Sequence, residues 1–173
     1  MEQQMMTHGG LQYVPQIAVA AQIVYLDFDG ENTSYNGEIL ALENVEVSNS
    51  QLDAERVQAI VTALNSRYAL QGVTFVTERP LTGEYSTIYV GKTSAFDPYG
   101  TFDGVAESVD EGNLDRADNA FVNLDHSAAD ARIIETIAHE TDHLLGTLDH
   151  GGEGLRAYAA EVTIGGELPI HLL

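Results

Sequence analysis

The sequence predicts one α/β (α+β) domain with a twisted, mixed sheet of about five strands and two long helices packed against it. Short runs of β-branched and aromatic residues alternate with two longer segments whose apolar residues recur at helical spacing, in the order strand, helix, strands, helix. The 173 residues, 44% of them hydrophobic, suffice for one core. We assign residues 1–21 to a loose N-terminal arm and residues 22–173 to this domain, with a short C-terminal subdomain from about residue 147.

The first three elements are a central strand, a hairpin or long loop, and a helix. Gln22–Asp29 has an almost unbroken apolar run, as expected for a strand covered on both faces. Residues 33–49 contain a Tyr-Asn-Gly turn signal and predict the hairpin or loop. Ser50 with Asp53 resembles a capping box, and apolar positions then recur at helical spacing as far as Tyr68.

The remaining segments complete the sheet and add the second helix. Val73–Thr77 and Thr87–Val90 are short strand candidates separated by a loop that contains proline and glycine. Gly104–Val109 alternates within a Gly-, Asp- and Asn-rich segment and predicts an edge strand, and Ala120–Leu124 predicts another strand. A second long helix is predicted over Ala128–Leu145, because Ser127 with Asp130 repeats the capping-box pattern and the apolar stripe that follows stops at a glycine.

The composition excludes several classes of function. The chain has 27 acidic and 7 basic residues and a formal charge of −20, so it repels DNA, RNA and anionic membrane surfaces. No run approaches the roughly 20 apolar residues of a membrane helix, so we expect no membrane span. The absence of cysteine excludes a thiol nucleophile and cysteine ligands, so a metal site must use His, Asp or Glu.

The second predicted helix carries the main chemical signal. His139 and His143 are four residues apart, so both imidazoles project from one helix face and can bind one metal ion. Glu140 lies between them and can reach a water molecule at the metal. This is the arrangement of a zinc hydrolase.

The residues after this motif extend the pattern. Gly146 can adopt a positive φ and end the helix, so that the chain turns back toward the metal. Asp149 and His150 follow, and either side chain is chemically suited to complete a three-ligand zinc site with one position left for water.

The stretch HETDHLLGTLDH resembles the H-E-x-x-H-x-x-G-x-x-H/D motif of the metzincin clan of zinc metalloproteases. An Asp at the third-ligand position followed by His is similar to the snapalysin type of secreted bacterial metzincin. The resemblance implies a zinc-dependent endopeptidase with ligands His139, His143 and Asp149, His150 being the alternative third ligand. It also implies that Glu140 is the general base, that substrates are peptides or proteins, and that the protein is secreted or at the cell surface.

The resemblance also gives the edge strand a role. In the clan, an antiparallel edge strand lies over the cleft and pairs with extended substrate. The residues expected to contact substrate are Gly104, Val105, Ala106, Glu107 and Ser108.

Two departures leave alternatives open. No methionine follows the motif, although the clan has one in a turn beneath the metal, and Asp142 stands where relatives often have Gly. These departures motivate one alternative, a catalytically silent, metzincin-like module that binds peptide or attaches through calcium, although the presence of Glu140 speaks against it. A gluzincin-type peptidase is the other alternative, because Glu161 follows His143 by 18 residues on a candidate helix over Leu155–Val162.

Two acidic segments offer oxygen ligands for a structural Ca²⁺ ion, although solvated turns explain them more simply. Their residues are Asp27, Asp29, Glu31 and Asn32 in the first, and Asp110, Glu111, Asn113, Asp115 and Asp118 in the second.

Overall fold

The computed structural model describes residues 21–37, 40–110 and 112–146, together with the backbone of residues 161–164 and 168–171. The predicted N-terminal arm, apart from residue 21, lies outside the described residues. The elements are β1 (Gln22–Asp27), β2 (Asn32–Asn36), β3 (Ala41–Glu46), α1 (Ala54–Arg67), β4 (Val73–Val76), β5 (Ser86–Val90), a short 3₁₀ helix (Asp97–Tyr99), β6 (Gly104–Ala106), β7 (Asn119–Val122), α2 (Asp130–Leu144), β8 (Glu161–Ile164) and β9 (Leu168–His171).

Five strands form a mixed sheet in the order β4-β1-β5-β7-β6. The four strands β4, β1, β5 and β7 are parallel, and β6 pairs antiparallel with β7 at the edge. The predicted mixed α/β architecture with a five-stranded sheet and two helices is therefore present. Strands β2 and β3 form the hairpin that the turn signal predicts, and β8 and β9 form a second two-stranded sheet.

Both faces of the five-stranded sheet are covered. The side chains of β5 show this, because they alternate between the two faces. Ile88 and Val90 belong to the core beneath the helices, whereas Tyr89 belongs to a second cluster with residues of the β2–β3 hairpin. Tyr35 and Val45 are the buried hairpin residues of this second cluster. A strand buried on both faces needs apolar side chains at nearly every position, which accounts for the continuous apolar run in β1.

Helix α1 begins later than the predicted capping box. Its N-cap is Asp53, whose Oδ1 accepts a hydrogen bond from the Arg56 backbone N–H at 2.9 Å. The Ser50 hydroxyl lies outside the helix, where it accepts a hydrogen bond from Leu52 N–H at 3.4 Å. The predicted start at Ser50 is wrong because Asp53 caps the first turn alone.

Helix α2 begins at Asp130, two residues after the predicted start at Ala128, and no side chain caps it. The Ser127 hydroxyl donates to Asp125 Oδ1 at 2.6 Å instead of reaching the helix. Asp130 accepts a hydrogen bond from the Arg56 Nε at 2.7 Å, so its carboxylate links α2 to α1 rather than completing a capping box.

Two further boundaries differ from expectation. The edge strand ends at Ala106 rather than Val109, because the chain after Glu107 leaves the sheet and Asp110 N–H bonds to the His143 carbonyl on α2. The candidate helix over residues 155–162 is wrong at its end, because Glu161 begins strand β8. Neither helix in the described part of the chain has the length and apolar composition needed to cross a membrane.

Candidate functional site

The two motif histidines converge at one point on α2. Their Nε2 atoms are 3.1 Å apart, and the rings are nearly perpendicular, with centroids 4.7 Å apart. Two nitrogen ligands on one tetrahedral Zn²⁺, each at about 2.0–2.1 Å, stand about 3.3 Å from each other. The 3.1 Å separation of the His139 and His143 Nε2 atoms is close to this value.

Glu140 is buried between α2 and the edge strand. Its side chain is 2% exposed, and its carboxyl group lies directly against the backbone of Gly104 in β6. A Cβ atom at Gly104 would stand only 2.8 Å from Glu140 Cδ, so the close approach depends on glycine. Burial raises the pKa of Glu140 to about 8.

Gly146 ends α2 in the way the motif predicts. Its φ is +64°, and a Cβ atom there would lie 2.7 Å from the carbonyl carbon of Asp110. The His143 carbonyl accepts hydrogen bonds from Gly146 N–H at 3.0 Å and from Asp110 N–H at 3.1 Å. The loop after β6 thus supports the end of the helix that carries His143. The two candidate third ligands, Asp149 and His150, lie outside the described residues.

Asp142 faces the first helix. Its Oδ1 accepts a hydrogen bond from the Tyr68 hydroxyl at 2.7 Å, and the same hydroxyl lies 2.8 Å from the Ala138 carbonyl. Tyr68 is the C-cap residue of α1, and burial and the Asp142 carboxylate raise its pKa. The sequence pattern predicts Tyr68 only as an apolar helix position, although a buried tyrosine hydroxyl needs a polar partner. Asp142 therefore joins α2 to α1.

The edge strand presents alternate backbone groups to its open side. Asn123 N–H bonds to the Asp103 carbonyl at 2.7 Å, and Glu107 N–H bonds to the Asn119 carbonyl at 3.0 Å. In an antiparallel ladder every second residue faces the partner strand, so the intervening Gly104 and Ala106 point their N–H and C=O groups away from β7. Among the described residues no further strand pairs with this side of β6, which we call its open edge, and at Gly104 this edge lies beside Glu140.

The other predicted substrate residues have different surroundings. The side chains of Val105 and Ala106 are buried on opposite faces of the sheet, Val105 in the hairpin-side cluster and Ala106 beneath the helices. Glu107 Oε2 accepts hydrogen bonds from Asn119 N–H at 3.1 Å and Asn119 Nδ2 at 3.0 Å. Ser108 lies after the strand and is half-buried. The side chains of Val105, Ala106 and Glu107 are therefore engaged within the fold.

The first acidic segment forms ion pairs with the arginine side chain of Arg79. Asp27 Oδ1 accepts the backbone N–H groups of Asp29 and Gly30 at 3.0 and 3.2 Å, and its Oδ2 pairs with Arg79 at 3.3 Å. Arg79 also pairs with Glu31. These hydrogen bonds and ion pairs fix the segment as a turn at the end of β1.

The second acidic segment folds back on itself and onto the sheet. Asp110 Oδ2 accepts Asp115 N–H at 2.8 Å, and Asp118 Oδ1 accepts the Ser86 hydroxyl at 2.6 Å. Asp118 is 4% exposed, and its Oδ2 and the Oδ1 of Asn113 are buried without a partner among the described residues. Burial, together with Asp115 and Asp110, raises the pKa of Asp118 to about 7.

Within residues 21–146 as described, no group of three or more His, Asp or Glu side chains converges as a metal site. Comparison with protein-family models, curated proteins and solved structures finds no match for the chain.

Proposed function

We propose that the protein is a zinc-dependent endopeptidase. The observation that carries the proposal is the 3.1 Å separation of the His139 and His143 Nε2 atoms, with Glu140 buried on the adjacent helix position. The open edge of β6 beside Glu140 supports peptides as the substrate class, because an extended peptide can add to a sheet edge through its backbone.

His139, His143 and a third ligand after Gly146 would hold the zinc ion, with Asp149 favoured by the motif spacing and His150 as the alternative. Bound zinc supplies Lewis-acid chemistry, polarising the scissile carbonyl and making water more acidic. Gly146 ends α2 with a φ of +64°, and its N–H and that of Asp110 both bond to the His143 carbonyl. The histidine pair and the end of α2 at Gly146 support this ligand set.

Glu140 acts as the general base in this proposal. It accepts a proton from the attacking water as the new C–O bond forms, and it delivers that proton to the amide nitrogen as the C–N bond breaks. Its burial against Gly104 excludes bulk water and fixes the carboxyl group relative to a peptide on the β6 edge. The net charge of −20 favours encounter with neutral or basic peptides over acidic ones.

Zinc content and turnover test the proposal together. We expect about one zinc per chain by elemental analysis of the wild type, with the larger loss in whichever of Asp149→Ala and His150→Ala removes the third ligand. Glu140→Gln should keep the zinc and abolish cleavage of a peptide library. Cleavage by zinc-loaded Glu140→Gln at the wild-type rate would contradict the mechanism.

The same measurements address the two alternatives. A binding module predicts that wild-type protein binds an extended peptide with zinc but leaves it intact for hours. A gluzincin-type site predicts that Glu161→Gln loses zinc while Asp149→Ala and His150→Ala retain it. The burial of Glu140 beside an open sheet edge favours the peptidase, because a silent module has no chemical use for a base in that position.

A further inference from the structure

Within the part of the chain that the structure describes, no strand pairs with the outer edge of β6, and the β2–β3 hairpin contacts this edge at its Ala106 end. Gly104 presents its outward backbone groups beside Glu140, whereas the outward carbonyl of Ala106 accepts a hydrogen bond from the Tyr35 hydroxyl at 3.3 Å. Tyr35 is 2% exposed, and its ring packs edge-on against Phe96 and Phe121, with centroids 5.2 and 6.0 Å away. This packing holds the hydroxyl at the Ala106 carbonyl.

The next residue of the hairpin makes a second contact with the same end of the strand. Glu107 Oε1 accepts a hydrogen bond from Asn36 N–H at 2.8 Å. Because Oε2 of the same carboxylate bonds to Asn119, Glu107 ties the hairpin to β7 through charge-assisted hydrogen bonds. We call the Tyr35–Ala106 and Asn36–Glu107 contacts together the hairpin latch.

The latch determines how much of β6 a peptide can use. A peptide that adds as a strand bonds to every second edge residue, so after Gly104 its next partner is Ala106, about 7 Å further along. The Tyr35 hydroxyl already lies at the outward carbonyl of Ala106, on the side from which a peptide N–H would approach. Antiparallel pairing, the more stable arrangement per residue, places the N-terminal part of the peptide toward Ala106.

We propose that the hairpin latch ends substrate pairing about two residues N-terminal to the cleaved bond, so that recognition depends on residues C-terminal to it. Tyr35 is then a specificity-determining residue of the peptidase. This inference rests on the proposed peptidase function. It adds that the site recognises the part of the substrate C-terminal to the cleaved bond.

Two nested peptide series test the inference. A peptide that the wild type cleaves is shortened stepwise from its N-terminus in one series and from its C-terminus in the other, and kcat/KM is measured for each member. For the wild type we expect kcat/KM to stay within about twofold as the peptide is shortened from its N-terminus, until two residues remain before the cleaved bond. A change this small is expected because no backbone hydrogen bond is lost. Shortening from the C-terminus should lower it.

Removing the hairpin latch should make kcat/KM depend on the substrate residues that lie N-terminal to the cleaved bond. In Tyr35→Phe/Glu107→Ala, which removes both contacts, we expect kcat/KM to rise about two- to tenfold for the longest N-terminal members, the range of one additional backbone hydrogen bond. The shortest members should be unchanged. Tyr35→Phe alone keeps the ring packing and should give a smaller change in the same direction, so it carries the test if the double variant fails to fold.

Tyr89→Phe is the matched control. Tyr89 belongs to the same buried cluster, stacks on Phe121 at 5.1 Å, and its hydroxyl accepts a hydrogen bond from Thr33 Oγ1 at 3.3 Å, away from the β6 edge. It should behave as the wild type in both series. A strong wild-type dependence on distant N-terminal residues, or an equal response of the latch variants in both series, would overturn the inference alone. No cleavage of any peptide by zinc-loaded wild type would instead overturn the proposed peptidase, and with it the inference.

Discussion

Gly104→Ala tests whether the close approach of β6 to Glu140 matters for turnover. The added Cβ would stand 2.8 Å from Glu140 Cδ and 2.9 Å from its Cγ. Non-bonded carbon atoms prefer about 3.5–4.0 Å, so the carboxyl group or the strand must move by about 0.7 Å or more. A displacement of about 1 Å at a reacting group can cost about 10²-fold in rate, and overpacking costs about 1–3 kcal/mol of stability. We therefore expect kcat/KM for peptide cleavage to fall by about 10²-fold, with zinc retained.

The assay for this variant combines three measurements on the same preparation: peptide cleavage, zinc per chain and thermal unfolding. Gly83→Ala is the control, because Gly83 has a φ of +90° but no neighbour within 4 Å of an added Cβ, so the substitution strains the backbone without touching the site. It should lose stability and keep its kcat/KM. Wild-type kcat/KM in folded, zinc-loaded Gly104→Ala would refute the placement of Glu140 against the edge strand as a requirement for turnover.

Three further predictions concern the surroundings of the site. Asp142→Asn should keep one zinc per chain and lose about 1 kcal/mol of unfolding free energy, because its carboxylate bonds to Tyr68; loss of zinc would make Asp142 a ligand. Gly146→Ala should lower both stability and zinc affinity, because φ is +64° and Cβ would meet Asp110, and calorimetry with zinc titration checks both. Because the pKa of Asp118 is raised to about 7, its ionisation opposes folding, so its contribution to stability is complete below about pH 4 and is lost as the pH rises through 7. Asp118→Asn should remove up to about 4 kcal/mol of this pH dependence in urea unfolding between pH 4 and pH 8, and an unchanged slope would contradict the assignment.

The histidine pair could be predicted because its geometry is local. An α-helix places residues four apart on one face whatever the helix packs against, so the sequence spacing of His139 and His143 already implies converging imidazoles. Gly146 is similar, since its positive φ follows from the end of an apolar stripe. The existence of an edge strand was also predictable. Its end at Ala106 was not, because it depends on the partners that Glu107 and Asp110 find in other elements.

The supporting contacts of the site were not predictable, because they join residues far apart in the chain. Tyr68 and Asp142 are separated by 74 positions, and Tyr35 and Ala106 by 71. The capping box predicted for α2 fails for two reasons. Arg56 on α1, distant in the sequence, bonds to Asp130, and Asp125, two residues before Ser127, accepts the Ser127 hydroxyl.

By itself the sequence determined the helical and strand periods, the two-faced burial of β1, the helix that carries the H-E-x-x-H motif and the glycine that ends it, because each depends on backbone geometry within a few residues. The tertiary structure alone decided that Glu140 lies against Gly104, that Asp142 turns toward α1, and that the β2–β3 hairpin closes one end of the β6 edge. Those contacts depend on how sheet, helices and hairpin pack, since only packing brings distant side chains within hydrogen-bond reach.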